Sequence, residues 1–406
     1  MAGEDEVAGR GDTARPLRIT MACARYPPFV GGTETHVAAV AAGLARRGHQ
    51  VTVVTTVLQG TGSIDVDDCI TVRRVRAWPG DSDLHVAPGL ARAITQSRPD
   101  VVHLQGYHRM VAPFALHTAR RLKRPYVVTF HSGGHTSRFR RALRPAQYRL
   151  LRHFLAGAAR LIGVSEYETE YFRSRLRVPA ELFETLSNGV DAAFLEVDRP
   201  FRSTSTIVSP GRLERYKGHG DVVEALHAVR RAIPDAELLI VGGGVMQREF
   251  TERAAALGVA EHVRFTSLPH TDRAGMAEAL AGAAAVALAS RYESQGIVGL
   301  EAIATGANVV ALDGTALSEL GRYPGVELVP SAAVATLAPA LIRAMTSERP
   351  SERPPVPTWH EIGERLEQIY SDAAGGPHAE RLNVRGKVIG QTSGQADHEE
   401  RGVRLT

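Results

Sequence analysis

The sequence predicts an α/β protein made of two doubly wound halves that face each other across a cleft. Strand-like and helix-like apolar periods alternate along almost the whole chain, which argues for parallel sheets covered by helices on both faces. The alternation restarts near residue 206, and strand-like runs in both halves end in glycine-bearing loops that open into helices. In such sheets ligands bind beyond the carboxyl ends of the strands, so those loops are where chemistry is expected.

Residues 1–15 are polar, lack the apolar core of a secretory leader, and are expected to be disordered. A first domain follows over residues 16–191. Residues 17–22 read as its first strand, Gly31-Gly32 as a tight loop, 33–47 as a helix stopped by Gly48, and 50–56 as a second strand. Further strands are expected at 100–104, 126–130 and 161–164. Residues 192–205, irregular and carrying Asp, Arg and Pro, read as a linker. The second domain, residues 206–357, has strand-like runs at 206–209, 237–241, 263–266, 284–288 and 309–312. After the proline-rich stretch 350–357, residues 358–373 form an amphipathic helical pattern, and 374–406 are polar, aperiodic and expected to be disordered.

A length of 406 residues with 44% hydrophobic content suffices for two real cores. No apolar run is long enough to span a bilayer. Cys23 and Cys69 are the only cysteines, which fits small core fillers in a reducing cytoplasm rather than a disulfide framework. The formal charge of +4 is unevenly spread. Residues 101–165 contain twelve Lys or Arg and no Asp or Glu, so the rest of the chain is net negative. That basic block is either a solvated face or a surface for something anionic, such as a membrane or a phosphorylated acceptor. Aromatic residues for base stacking are sparse there, which argues against nucleic acid.

The most informative stretch is Arg291-Tyr-Glu-Ser-Gln-Gly-Ile-Val-Gly-Leu-Glu-Ala-Ile-Ala-Thr-Gly306. It places Glu293 in the loop after a strand and Glu301 about one turn into the following helix. Between them Gly296, Ile297 and Val298 bring bare backbone N–H groups to a helix N-terminus, where the macrodipole favours phosphate. Carboxylates on either side of an anion site suit a ligand with hydroxyls on both sides of a diphosphate, as in a nucleotide-sugar. Ser209-Pro-Gly-Arg-Leu-Glu-Arg-Tyr-Lys-Gly218 also follows a strand. Arg212 and Lys217, with Gly211 beside them, are placed to neutralise a diphosphate as it is bound and as it departs. In the first half, Gly31-Gly32 and His131, in Thr129-Phe-His-Ser-Gly-Gly134, lie at strand ends and could border the same cleft. The glycines of Val241-Gly-Gly-Gly244 lack a third glycine at Gln247 and do not make a dinucleotide fingerprint. The Asp-x-Asp triplets at 65–67 and 81–83 read as solvated loop carboxylates, and the histidines show no ligand spacing, so no catalytic metal is expected.

Together these motifs resemble the retaining family-4 glycosyltransferases of GT-B fold, over roughly residues 17–373. The likeness is carried by Gly31-Gly-Thr-Glu-Thr-His-Val37, Arg46-Arg-Gly-His-Gln-Val-Thr-Val-Val-Thr55, Val164-Ser165 and Ser187-Asn-Gly-Val-Asp191 in the first half. In the second half Gly-Arg-Leu with Lys-Gly, the triple glycine and the paired glutamates carry it. The resemblance implies two Rossmann-like domains, with a nucleotide-sugar, UDP- or GDP-linked, as substrate and no cofactor. It implies that Arg212 and Lys217 hold the diphosphate, Glu301 the ribose diol, and Glu293 the donor-sugar hydroxyls. His131 would line the sugar subsite, backbone groups of 296–298 would cap phosphate and sugar, and Gly31-Gly32 would face phosphate and acceptor. The final helix would cross back to the first domain. The acceptor would be a small molecule or lipid-linked. The chain departs from the family pattern at Asn308, where proline is usual, at Gln295, where many relatives carry Phe, and in the loop from Asp313, which lacks paired glycines. A phosphorylase of the same architecture and a non-catalytic sugar-nucleotide binder remain alternatives at this level.

Overall fold

The computed structural model describes residues 15–57, 62–67, 69–79, 86–107, 109–132, 138–198 and 205–376. The first half runs β1 (Arg18–Cys23), α1 (Gly32–Arg46), β2 (Gln50–Val57), β3 (Ser63–Asp67), β4 (Ile70–Arg76), α2 (Leu90–Gln96), β5 (Val101–Gln105) and α3 (Val111–Arg121). It continues through β6 (Tyr126–Thr129), α4 (Arg138–Leu155), β7 (Arg160–Gly163), α5 (Glu166–Leu176), β8 (Phe183–Thr185) and α6 (Ala192–Glu196). The second half comprises β9 (Thr206–Pro210), α7 (His219–Ala232), β10 (Glu237–Val241), α8 (Gln247–Ala256), β11 (Val263–Thr266), α9 (Arg273–Gly282) and β12 (Ala285–Leu288). It ends with α10 (Ile297–Ala304), β13 (Val309–Leu312), β14 (Val326–Val329), α11 (Val334–Thr346) and α12 (Trp359–Gly375).

Among the described residues these strands form an eight-stranded sheet, order β3-β4-β2-β1-β5-β6-β7-β8, and a six-stranded sheet, order β11-β10-β9-β12-β13-β14. All pairings are parallel except β3 with β4. The order reverses at β1, which lies between β2 and β5, and at β9, between β10 and β12. A crevice opens where the chain leaves a parallel sheet in opposite directions, so the loops after these strands are placed to meet a ligand. The inner strands are rich in Val, Ile and Ala and buried on both faces, with Ile19, Met21, Val101, Val127, Ile207 and Val286 among the fully buried side chains.

Helix α12 belongs in space to the first half. Its Trp359, Ile362, Leu366, Ile369 and Tyr370 share one apolar core with Ile19 and Met21 of β1 and Val37, Val40 and Leu44 of α1. Thr358 and Glu361 form a reciprocal capping box at its start, and Glu367 pairs with both Arg47 and His49. Asn308, in place of the expected proline, is buried and donates through Nδ2 to the carbonyl oxygens of Ala344 and Ser347 at the end of α11, at 2.9 and 3.2 Å.

Four expectations need correction. Cys23 is buried as a core filler would be, but Cys69 is exposed and is not one. Asp65 and Asp67 lie on the antiparallel edge strand β3, not in a loop; Asp65 is an exposed carboxylate paired with Arg74 across the ladder. The stretch 192–205 is not wholly irregular, because Asp191 caps α6 and Phe194 of that helix is fully buried; residues 199–204 lie outside the described residues. Arg144 of the basic block is buried, donating to Tyr171 Oη at 3.1 Å and Ser132 Oγ at 3.3 Å, and so is not part of a solvated face. The triplet at 81–83 and both predicted tails beyond residues 15–376 fall outside the described residues. No helix among the described residues is long and apolar enough to cross a membrane.

Candidate active site

The loops after β9 and β12 build the second-domain side. After β9 the chain passes Gly211, whose φ of 134° suits glycine, and turns through a short 3-10 segment carrying Lys217. His219 braces this turn. Its Nε2 donates to the Arg212 carbonyl at 3.2 Å, so its Nδ1 accepts from Ser209 Oγ at 2.8 Å. Burial lowers this imidazole to about 4, which keeps it neutral. Lys217 Nζ then reaches Glu293 in an ion pair whose two side chains are each 15% exposed. Burial works against the Lys217 charge, but the Glu293 carboxylate outweighs it and holds the ammonium above the usual lysine range. Arg212 lies beside them, bonded to Glu214 at 2.6 Å and to Tyr216 Oη at 2.9 Å, and Tyr216 stacks on Tyr292 with ring centroids 4.6 Å apart.

Gly296 opens α10 with φ 83°, and a Cβ there would come within 2.7 Å of Leu317 Cδ2. Only glycine fits without strain, and the helix N-terminus is left as bare backbone at Ile297 and Val298. One turn on, Glu301 is buried and ion-paired with Arg273, whose guanidinium lies 4.7 Å over the Phe194 ring. Burial raises the Glu301 carboxyl above its ordinary value, with Arg273 pulling the other way.

The first domain meets this surface directly. Ile297 packs against the core shared by α1, β1 and α12, and a Cβ on Gly32 would sit 3.8 Å from its Cδ1. Ser165 Oγ donates to the Ser294 carbonyl at 2.6 Å, and the Tyr167 N–H donates to Glu319 at 2.7 Å. The negative charge of Glu34, in the first turn of α1, reaches Arg212 across the gap. His131 has left-handed backbone, φ 52°, and its ring lies 4.5 Å from that of His36. Gln105 Oε1 accepts a hydrogen bond from His131 Nε2–H at 2.6 Å. Behind it His103 bonds Thr129 Oγ1 at 2.8 Å and Tyr370 of α12 at 2.6 Å. The loop at 131–132 is fixed from beneath by Glu168, a buried carboxyl that accepts from the Ser132 and Val164 N–H groups and is pushed up to about 7 by burial.

The structure thus gathers Gly211, Arg212, Lys217, Glu293, Gly296, Ile297 and Val298 at adjoining strand ends of one sheet, with Gly31 and His131 on loops of the other and Gly32 at the first position of α1. Glu301 sits deeper, closed on Arg273. Sequence reasoning missed Arg273, Tyr216, His219, Gln105 and His36 as members of this assembly. His219 stands two residues after Lys217 and could have been noticed; Arg273 and Gln105 carry no local signal, because their partners are 28 and 26 residues away.

Residues 30–194 match the family model for Glycosyltransferase Family 4, and residues 197–354 match that for Glycosyl transferases group 1. The chain is 30% identical over 359 residues to the phosphatidyl-myo-inositol mannosyltransferase of Mycobacterium leprae (strain TN), covering 83% of this chain and 90% of that one. It is 29% identical over 350 residues to the glycogen synthase of Mycobacterium tuberculosis (strain ATCC 25618 / H37Rv), covering 77% and 83%. Among solved structures it is similar to Anabaena Alr3699/HepE in complex with UDP and glucose, with TM-score 0.65, 18% identity and coverage of 93% and 100%. The sucrose-phosphate synthase of Thermosynechococcus elongatus gives TM-score 0.63, 20% identity and coverage of 93% and 99%. Two family models that divide between them most of the length, and relatives aligned across both halves, establish that this chain belongs to the family-4 glycosyltransferases of GT-B fold.

Proposed function

We propose that this glycosyltransferase moves a sugar from a nucleotide-sugar to an acceptor hydroxyl with retention of anomeric configuration, without a metal or other cofactor. The observation that carries the reading is the Lys217–Glu293 ion pair, with Arg212 alongside and His131 on the facing sheet. A diphosphate entering between these loops competes with Glu293 for Lys217. The phosphate takes the ammonium, and the released carboxylate is free to bind donor-sugar hydroxyls. Arg212, Lys217 and the N–H groups at the start of α10 then stabilise the leaving diphosphate as the anomeric bond breaks. Glu301 takes the ribose diol, and His131 borders the sugar. In this reading the acceptor hydroxyl attacks from the face the diphosphate leaves, and its proton passes to a departing phosphate oxygen. No carboxylate forms a covalent intermediate.

The donor is a UDP- or GDP-sugar, and the acceptor is a small molecule or a lipid-linked glycan. Such relatives as the mannosyltransferase of Mycobacterium leprae act, by name, on a phosphatidyl-inositol. Peripheral contact with anionic membrane is supported by α4, where Arg149 and Arg152 are exposed beside Leu150, itself 71% exposed. The side chains of Arg138, Arg140 and Arg141 lie outside the described residues. Loss of binding to phosphatidylglycerol vesicles in Arg149→Glu/Arg152→Glu supports that contact, and unchanged binding rejects it.

The testing experiment incubates the protein with UDP-, GDP-, ADP- and TDP-sugars, with and without acceptor extract, and measures released nucleoside diphosphate. Product anomeric configuration is read by NMR, and a parallel reaction contains EDTA. Release from one donor, surviving EDTA, lost in Glu293→Ala and giving a retained anomer, supports the reading. An inverted product, or EDTA-sensitive turnover, overturns that part of it. Sugar-1-phosphate formation from a glycan and phosphate, without nucleotide, identifies a phosphorylase instead, and nucleotide binding with no turnover on any acceptor identifies a binding protein.

A further inference from the structure

Gln295 lies between Glu293 and Gly296 in the donor-side loop, yet its side chain points to the other domain's end. It is 5% exposed, and its hydrogen bonds fix every amide in turn. The Asn188 backbone N–H, which can only donate, meets Gln295 Oε1 at 2.8 Å. That settles which Gln295 atom is oxygen. The same oxygen also meets the Asn188 side chain, which must therefore present its Nδ2, while Gln295 Nε2 donates to Ser187 Oγ. With Nδ2 so placed, Asn188 turns its Oδ1 toward His36 Nδ1 at 2.7 Å. Two acceptors cannot face each other at that distance, so the His36 proton is on Nδ1. His36 is 2% exposed, and burial lowers it to about 4, so the ring is neutral near pH 7 and its Nε2 is a lone pair. That Nε2 has no hydrogen-bond partner among the described residues. The ring itself lies edge-on between His131, at 4.5 Å, and Trp359, at 5.6 Å.

We propose that Gln295 is a positioning residue: through Asn188 it selects the Nδ1–H form of His36 and so sets the seat of His131, tying the donor loop that carries Glu293 to the sugar-facing histidine of the opposite domain. The relay crosses from the second domain to the first through residues 187 and 188, beside the point where Val190 bridges to Thr358 at the start of α12. It acts only when the two ends are in contact, because each amide takes its orientation from the one before. Separating Gln295 from Asn188 frees Asn188 to turn over, which lets His36 move its proton and removes the lateral support of His131. This role rests on the transferase reading for its kinetic consequence, but not for its structural one.

The test uses the full chain with 15N-labelled histidine, and long-range 1H–15N correlation to read which nitrogen of His36 is protonated, with His36→Gln for assignment. Two variants separate the relay from bulk. Gln295→Leu keeps the volume and makes no hydrogen bond. Gln295→Glu keeps an acceptor for both Asn188 donors. The parent is expected to carry the His36 proton on Nδ1, and Gln295→Glu to retain it. Gln295→Leu is expected to give a mixture of forms. With UDP-glucose and GDP-mannose as donor probes, kcat in Gln295→Leu is expected to fall on the order of 10²-fold, as for a small misplacement near reacting groups, with donor KM within a few-fold. Gln295→Glu is expected to stay close to the parent in kcat. A parent His36 protonated on Nε2 overturns the proposal without any variant, so a failure of Gln295→Leu to fold leaves it decidable. An unchanged His36 form in Gln295→Leu overturns it as well, as does a Gln295→Glu variant as impaired as Gln295→Leu. If neither probe is turned over, the His36 result still tests the relay, and only the transferase reading is affected.

Discussion

Replacing Lys217 separates chemistry from structure at the centre of the site. Lys217 and Glu293 are each 15% exposed, and the ammonium stays charged against burial because the carboxylate faces it. Lys217→Ala therefore does two things. It strands the Glu293 charge in a poorly solvated place, which costs about 1–3 kcal/mol of stability. On the proposed mechanism it also removes the cation assigned to the departing diphosphate, and kcat is then expected to fall on the order of 10²–10³-fold. The double variant Lys217→Ala/Glu293→Ala undoes the first effect and not the second, because no charge is left unpaired while both substrate contacts are gone. Urea denaturation and nucleoside diphosphate release, measured on parent, both single variants and the double, complete the cycle. The expected pattern is a partial return of stability with no return of turnover. If turnover recovers together with stability, the pair is a structural brace, and the role assigned to Lys217 is wrong. A well-folded Lys217→Ala within a few-fold of the parent has the same consequence.

Other outcomes follow from neighbouring residues. Glu301→Ala is expected to weaken discrimination between ribo- and 2′-deoxyribonucleotide donors by on the order of 10–10²-fold in kcat/KM, as for loss of a charged hydrogen-bond acceptor; unchanged discrimination removes Glu301 from the ribose site. Gly296→Ala puts a Cβ 2.7 Å from Leu317 Cδ2 at φ 83° and is expected to cost about 1–3 kcal/mol by chemical denaturation. Glu168 is held at about 7 when folded against 4.5 for the free side chain, so the folded state binds the extra proton between those values. Its contribution is fully present below pH 4.5 and is lost as pH rises through 7, about 3 kcal/mol in all. Urea midpoints of the parent should fall across that window, and those of Glu168→Gln should fall less; parallel profiles refute the assignment.

Much of the fold was legible because its causes are local. The runs at 237–241, 263–266 and 309–312 coincide with β10, β11 and β13, since short β-branched segments bounded by turn residues have few other uses. The helix opening at Gly296 and the glycine-bearing loop around Lys217 were likewise written in the chain, because glycine is favoured where backbone takes positive φ or comes close to a ligand. Of the strands that were not read, β3, β8 and β14 lie at sheet edges, where a strand packs on one side only, although β11, also at an edge, was legible. Nor could periodicity show that α6 buries Phe194, in a stretch whose polar residues look like a linker.

The sequence by itself determined two parallel sheets, the family, and which loops carry glycine, Glu, Lys and Arg at strand ends. Tertiary structure alone decided which charges meet. It paired Lys217 with Glu293 and Glu301 with Arg273, took Arg144 out of solvent, and ran a line of amides from Gln295 to His36. Local propensity acts over a few residues, whereas these contacts join positions 27 to 152 residues apart, and only chain packing fixes such distances.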